Sequence, residues 1–469
     1  MYFISTRGGQ NKLTASQAIL KGFDDDDGLF APENFIKITK DDFTTLCECN
    51  YAERAAIILH KFFDDFSFEF LLDACTEVYS SFIDNDPAPL VAVNPNEFFL
   101  ELHHGKSCSN KDLSVGLLPH LINEALRINA KNKEYTAVCL DNVDTCKAAM
   151  NSFKDIQNAK LICFSTTNDA TQIQKLQLAT NHGANTYVAE YIGDYNLALS
   201  ELKKIIADNK NIVIADSCNI ACVAAQTVYY ISAYCDLINT GTISLGDKVN
   251  FVLPVESGTE LLSCLYAKKM GLHIDKIIFS SEEDNCVLDL VSTGKINSLN
   301  SNNFERILFE FTCRNGKSIR ELIEKTLENN NVKLEGIKFV AKDFCPFDHT
   351  FEDIVYSISY YFDEYCYLLD KKTAAAIAAK AEYYGDEVEE GIFINVATTS
   401  PFKFAEDLFL TMFEGGYDSI YDAICDIADE AVTDIPAVIC ELESLNKDDV
   451  SKVFDEFFTE ELKELIISK

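Results

Sequence analysis

From about Tyr135 onward the chain alternates short apolar runs rich in β-branched and aromatic residues with longer stretches whose apolar positions recur every three to four residues. The short runs at 136–140, 160–164, 186–189, 211–215, 249–253, 276–279 and 392–396 predict strands, and the stretches between them predict amphipathic helices. Strand and helix in strict alternation is the pattern of a parallel α/β sheet. Residues 1 to about 95 read as mainly helical, and after Asn302 helices are predicted over 304–313, 319–328, 351–368 and 373–384. The acidic run 24–27 before Gly28 predicts a turn, because successive aspartates do not follow the spaced ligand order of a calcium loop. The most apolar stretch, 220–238, carries Gln226, Thr227, Ser232 and Asp236, which predicts a buried helix rather than a membrane span. No internal repeat or low-complexity linker interrupts the pattern.

Composition sets the scale. A chain of 469 residues, 48% hydrophobic, holds enough apolar material for two or three lobes. The excess of 75 acidic over 40 basic residues gives a net charge of −35, which repels nucleic-acid backbones and anionic membranes. The same field disfavours a phosphorylated ligand unless a local positive site overcomes it. Seventeen cysteines in so large a chain, which starts without a charged segment followed by an apolar one, predict a reducing cytoplasm rather than a disulfide framework. The tightest cysteine pairs, Cys47 with Cys49 and Cys218 with Cys222, lack the second pair or spaced histidines of a zinc site, so no metal is expected.

Candidate chemistry gathers first at 98–112, where an apolar, strand-like run leads through Glu101-Leu102-His103-His104-Gly105 to Asn110-Lys111-Asp112. A lysine that acts as a Schiff-base residue needs desolvation, which lowers its pKa, and freedom to hand its partner to an incoming amine. This segment resembles the pyridoxal-phosphate attachment site of the threonine synthase family, in which Glu-Leu-Phe-His-Gly leads to Phe-Lys-Asp. Phe has become His103 here, and Asn110 precedes the lysine. The resemblance implies that Lys111 carries the cofactor; Asp112 is expected to orient neighbouring backbone or cap the next helix.

A second match, Ala397-Thr398-Thr399-Ser400-Pro401-Phe402-Lys403-Phe404, resembles the family's Ala-Thr-Ala-His-Pro-Ala-Lys-Phe. It implies that the Thr398 hydroxyl faces the pyridine nitrogen and leaves it mostly unprotonated. Strand 249–253 leads through Pro254-Val255-Glu256-Ser257-Gly258-Thr259 into a helix, the geometry for phosphate on a helix N-terminus, so Ser257, Gly258 and Thr259 are the candidate phosphate ligands. The family reads Pro-Ser-Gly-Asn-Phe-Gly-Asp at this loop. Glu256 therefore replaces a glycine, and a carboxylate about 5 Å from phosphate costs on the order of 3 kcal/mol, roughly a hundredfold in affinity, unless it turns to solvent. The loop Asp141-Asn142-Val143-Asp144-Thr145-Cys146 aligns with the family's Thr-Ser-Gly-Asp-Thr-Gly, which binds the substrate amino acid. Asn142, Asp144 and Thr145 are its candidate ligands; read without the family, Asp144 and Thr145 cap a helix after a strand. Lesser matches in the same order, from Ser5-Thr6-Arg7-Gly8 to Asn303-Phe304-Glu305-Arg306 and Asp370-Lys371-Lys372-Thr373, extend the resemblance over nearly all of the chain.

The resemblance implies an α/β, two-lobed pyridoxal-phosphate-dependent fold type II, tryptophan-synthase-β-like, with a mainly helical N-terminal region. Its expected divisions are an N-terminal region over 1–95 and a catalytic body over 96–469, with a smaller α/β lobe at about 130–240. The implied reaction converts O-phosphohomoserine and water to threonine and phosphate, with a small amino acid as the ligand and a monomer or homodimer as the assembly. Two other readings stay open: a catalytically decayed member that binds a metabolite or protein, and a related lyase acting on another small amino acid.

Overall fold

The computed structural model describes residues 1–82, 86–131, 134–166, 170–180, 183–191, 193, 195–256, 258–280, 286–296, 303–328, 332–334, 341–385, 390–445, 453–454 and 466. Two sheets organise it. In the first, strands Val453–Phe454, Thr186–Tyr191, Ala159–Thr166, Tyr135–Asn142 and Ile212–Ile214 lie side by side in that order, all parallel. In the second, the order is Phe344–Pro346, Ile274–Ser280, Val249–Pro254, Ile392–Ala397, Glu97–Glu101 and Leu90–Asn94, parallel except for the last pair. Every strand run expected from the β-branched pattern is present. This is the expected fold type II arrangement.

Strands Ile392–Ala397 and Glu97–Glu101 are neighbours, with Ala397 opposite Glu101. Two segments nearly 300 positions apart thus leave the same sheet at the carboxyl ends of adjacent parallel strands, the place where open α/β sheets hold ligands. The helix Ile220–Asn239 is almost wholly buried, and two of its polar residues meet Arg54, which donates to the Ser232 hydroxyl at 2.8 Å and pairs with Asp236 at 2.6 Å. No helix among the described residues is long and apolar enough to cross a membrane.

The N-terminal region is less purely helical than the pattern predicts. Helices Lys40–Glu48, Tyr51–Phe62 and Phe68–Tyr79 begin where Thr39, Asn50 and Ser67 accept hydrogen bonds from backbone amides of the first turn. Ahead of them, strands Lys12–Leu13, Phe3–Ser5 and Phe30–Pro32 form an antiparallel sheet. Strands of two or three residues carry too few positions to show a period of two. The acidic run does form a turn, with Asp24 and Asp25 held by Lys21 at 2.7 Å each. This region is tied to the rest of the chain by Arg306, fully buried, whose Nε donates to the Phe30 carbonyl and whose Nη1 donates to Asn303 Oδ1.

Candidate functional site

Lys111 ends the loop that follows the Glu97–Glu101 strand and immediately precedes the short helix Asp112–Val115. Its position is fixed from two sides. Asp112 accepts hydrogen bonds from the amide and hydroxyl of Ser107 at 2.7 and 2.8 Å, so of the two roles expected for it, orienting neighbouring backbone is the one it performs. A Cβ at Gly105 would collide with that carboxylate, which is why the turn requires glycine. On the other side the loop is stitched to the segment after Ile392–Ala397: the Asn110 amide donates to the Thr398 carbonyl at 2.7 Å, and the Ser400 amide donates to the Cys108 carbonyl at 3.0 Å. Lys111 and Thr398, both buried, therefore share one backbone frame.

The Lys111 ammonium donates to Glu260 at 2.6 Å and lies 3.5 Å from Glu256. Burial opposes its charge, but the Glu260 carboxylate in contact with it outweighs burial, and the pKa is raised. The sequence-based expectation of a lowered pKa is corrected here: desolvation is present, yet the helix that follows the phosphate-type loop delivers an anion to the lysine.

That loop takes a form not foreseen. Glu256 turns into the protein and is held by Lys372, both largely buried. Burial lowers the Lys372 ammonium to about 8, with Asp144 opposing the shift. Gly258 has φ +73° and caps the helix Thr259–Met270, a backbone conformation that favours glycine. The Thr259 hydroxyl accepts from Asn303 Nδ2 at 2.7 Å, and Ser257 lies outside the described residues.

The other candidate loop opens the helix Val143–Phe153. Its cap is Asn142, whose side chain accepts from the Thr145 amide at 3.0 Å and hydroxyl at 3.1 Å; the expected cap, Asp144-Thr145, starts one residue too late because Val143 is already helical. Asp144 is buried, pairs with Lys403 and accepts from Gln174 at 2.9 Å. Although burial opposes ionisation, Lys403 and Lys372 lower its pKa. Beneath the loop, Asp141 accepts from Ser217, and Asp216 is pushed up to about 8 by burial and by Asp141.

Glu260, Lys372 and Lys403 are the charged residues that sequence reasoning did not place in the site. The available signal was a pair of opposite departures: glycine to Glu256 in one loop and, where Asp370-Lys371-Lys372-Thr373-Ala374 resembles the family's Asp-Pro-His-Thr-Ala, histidine to Lys372 in another. Four buried polar atoms of these segments have no hydrogen-bond partner among the described residues: Thr398 Oγ1, Ser400 Oγ, Asn110 Nδ2 and Glu260 Oε2. Buried polar groups are ordinarily satisfied, so a polar group fits among them. Lysine, an unpaired hydroxyl on its partner loop and a glycine-capped helix N-terminus suit pyridoxal phosphate, with Glu256 offset by Lys372.

A family model described as "Threonine synthase N terminus" matches residues 2–79. The chain is 28% identical over 419 residues to threonine synthase-like 1 of Pongo abelii, covering 80% of this chain but 56% of that relative. It thus spans little more than half the length of that protein. It is 26% identical over 434 residues to the threonine synthase of Pseudomonas aeruginosa, covering 87% and 89% of the two chains. The crystal structure of pyridoxal-phosphate-bound threonine synthase from Brucella melitensis superposes with a TM-score of 0.83 at 22% identity, over 99% of this chain and 98% of that one. With the N-terminal match, a relative matched over most of its length and the shared fold in agreement, this chain is similar to the threonine synthase family over nearly all of its length and departs from the family's residues at the loops that hold Glu256 and Val143.

Proposed function

We propose that the protein is a pyridoxal-phosphate-dependent lyase that converts O-phosphohomoserine and water to threonine and phosphate. The observation that carries this reading is the buried Lys111 ammonium in one backbone frame with the Thr398 hydroxyl, which has no partner among the described residues. When bound, the cofactor supplies an electron sink for carbanions formed next to the substrate amine. Thr398 is assigned to the pyridine nitrogen, and the N-terminus of helix Thr259–Met270, with Thr259 and Gly258, to the phosphate. Ser257 is assigned there on sequence alone. Lys111 carries and returns protons at Nζ, and Glu260, in contact with that nitrogen, is the base placed to take its proton. Asn142, Asp144 and Thr145 are assigned to the substrate amino acid, with Lys372 beside them as the cation for an anionic substrate group. Seventeen free cysteines support a cytoplasmic location.

One observation favours a second reading, a fold-retaining binding protein: Glu256 stands in the phosphate loop and touches Lys111's surroundings. The test is a visible-absorption titration of the purified protein with pyridoxal phosphate, followed by borohydride reduction and mass mapping. Label on Lys111, together with phosphate release from O-phosphohomoserine, is the expected result. Absence of binding overturns the enzyme reading and leaves the second.

A further inference from the structure

Away from Lys111, a cavity of about 280 Å³ opens between the helices Val143–Phe153 and Gln172–Leu178 and the C-terminal segment 438–445. Its size lies at the lower edge of the roughly 300–1,000 Å³ usual for ligand sites, room for a small metabolite rather than a nucleotide. The lining has three chemistries. Lys147, buried, and the exposed Lys154 and Lys106 bring positive charge into a chain whose net charge is −35. Glu441 supplies one carboxylate, and Leu442 and Leu445 supply an apolar wall.

Two amide groups in the lining are unsatisfied among the described residues. Gln177 is 1% exposed, and its Oε1 accepts nothing; the buried Asn151 Nδ2 donates to nothing. The Gln177 amide orientation is settled because its Nε2 donates to the Ser107 carbonyl at 3.3 Å. A buried acceptor without a donor and a buried donor without an acceptor each cost about 1–3 kcal/mol, so an occupant that satisfies both is strongly favoured. Such an occupant carries a donor and an acceptor. Lysines with an amide donor suit a carboxylate, Gln177 Oε1 with Glu441 suits an ammonium, and the leucines suit a short aliphatic group.

We propose that this cavity is a second ligand site, for a free α-amino acid with a small aliphatic side chain. Its occupant communicates with Lys111 through Gln177. The Ser107 carbonyl that receives Gln177 Nε2 also receives Lys403 Nζ at 2.8 Å, and the Ser107 amide and hydroxyl hold Asp112, the residue after Lys111. A ligand that fixes Gln177 stabilises this loop, and by reciprocity the state of the loop alters the affinity for the ligand.

The experiment is calorimetric titration of the full chain with L-alanine, L-valine, L-leucine and L-threonine, with isobutylamine and isovalerate as analogues of valine lacking one charge each. Saturable binding of at least one amino acid is expected, retained in Lys111→Ala. Gln177→Leu and the surface change Glu441→Gln should each weaken it about tenfold, the loss of one hydrogen bond. The two analogues should bind at least tenfold more weakly than valine if valine binds. Failure of all four amino acids to bind, loss of binding in Lys111→Ala with retention in Gln177→Leu and Glu441→Gln, or equal binding of the analogues overturns the proposal. Because Gln177 and Glu441 line this cavity and are not among the residues assigned to the proposed reaction, failure here leaves that reaction untouched.

Discussion

Glu256 and Lys372 form an ion pair between the loop after the Val249–Pro254 strand and the first turn of the Lys371–Tyr384 helix. Each departs from the residue the family carries at its position, in opposite directions of charge. The carboxylate that repulsion alone would turn toward solvent is instead retained inside, because a buried cation meets it. Removing one partner of such a pair is costlier than removing both, since the survivor is left unpaired away from water.

The pair predicts a double-mutant result. Lys372→Met should weaken pyridoxal phosphate about a hundredfold, the effect of one unpaired carboxylate near the phosphate. Adding Glu256→Gly should recover most of that loss. Equal affinity of Lys372→Met and the parent protein, read by absorption titration, would show that the loop does not face the cofactor.

The contact between Lys111 and Glu260 predicts a pH shift. Glu260 raises the lysine against burial, so in the cofactor-free protein the ammonium persists above its ordinary range. Only the free amine attacks a carbonyl, so capture of pyridoxal phosphate should accelerate with rising pH. In Glu260→Gln, burial is opposed by the weaker influence of Asp141 and Glu256, and the profile should move to lower pH. The ion pair's own contribution to stability is present below pH 10.5 and lost as the pH rises through the raised value. An unchanged profile, followed by stopped-flow absorbance, would remove Glu260 from the proton path.

His103 predicts an acid-sensitive window. Burial lowers its pKa from 6.5 to about 4, overcoming the attraction of Glu101, so the folded protein binds fewer protons there than the unfolded chain. The neutral ring's contribution is complete above pH 6.5 and is lost as the pH falls toward 4, at most about 3 kcal/mol. His103→Phe, which restores the family's residue, should flatten urea midpoints across pH 4–6.5. A parallel pH dependence in both proteins would place the acid sensitivity elsewhere.

Asp144 and Lys403 are both buried and paired. Lys403→Met should cost about 3–5 kcal/mol in urea unfolding, because the aspartate would lose the cation in contact with it and keep the Gln174 hydrogen bond and the more distant Lys372. A loss under 1 kcal/mol would mean that the carboxylate rehydrates or takes up a proton freely.

Thr398→Val should behave oppositely. Its hydroxyl has no partner among the described residues, so the stability of the cofactor-free protein should change by less than about 1 kcal/mol. The absorption maximum and affinity of bound pyridoxal phosphate should change, since the hydroxyl proposed to face the ring nitrogen is gone. A large stability loss with an unaltered spectrum would make Thr398 a structural residue.

Local pattern determined much of this protein. Runs such as 160–164 and 249–253 are apolar on both faces because helices cover both sides of a parallel sheet, so their strand character is written in consecutive residues. Lys111 and Thr398 were legible through their flanking motifs, since glycine at 105 and the short polar loops answer to local backbone geometry. Tertiary structure alone decided what those residues face. Glu260 reaches Lys111 across 149 positions and Lys372 reaches Glu256 across 116, and a charge's partner at that separation leaves no periodic trace in the chain. Whether Glu256 repels or is neutralised, whether Lys111 is held charged, and which helix faces close the cavity at Gln177 all depend on distances in a low-dielectric interior, where an ångström or a neighbouring ion reverses the sign of the effect.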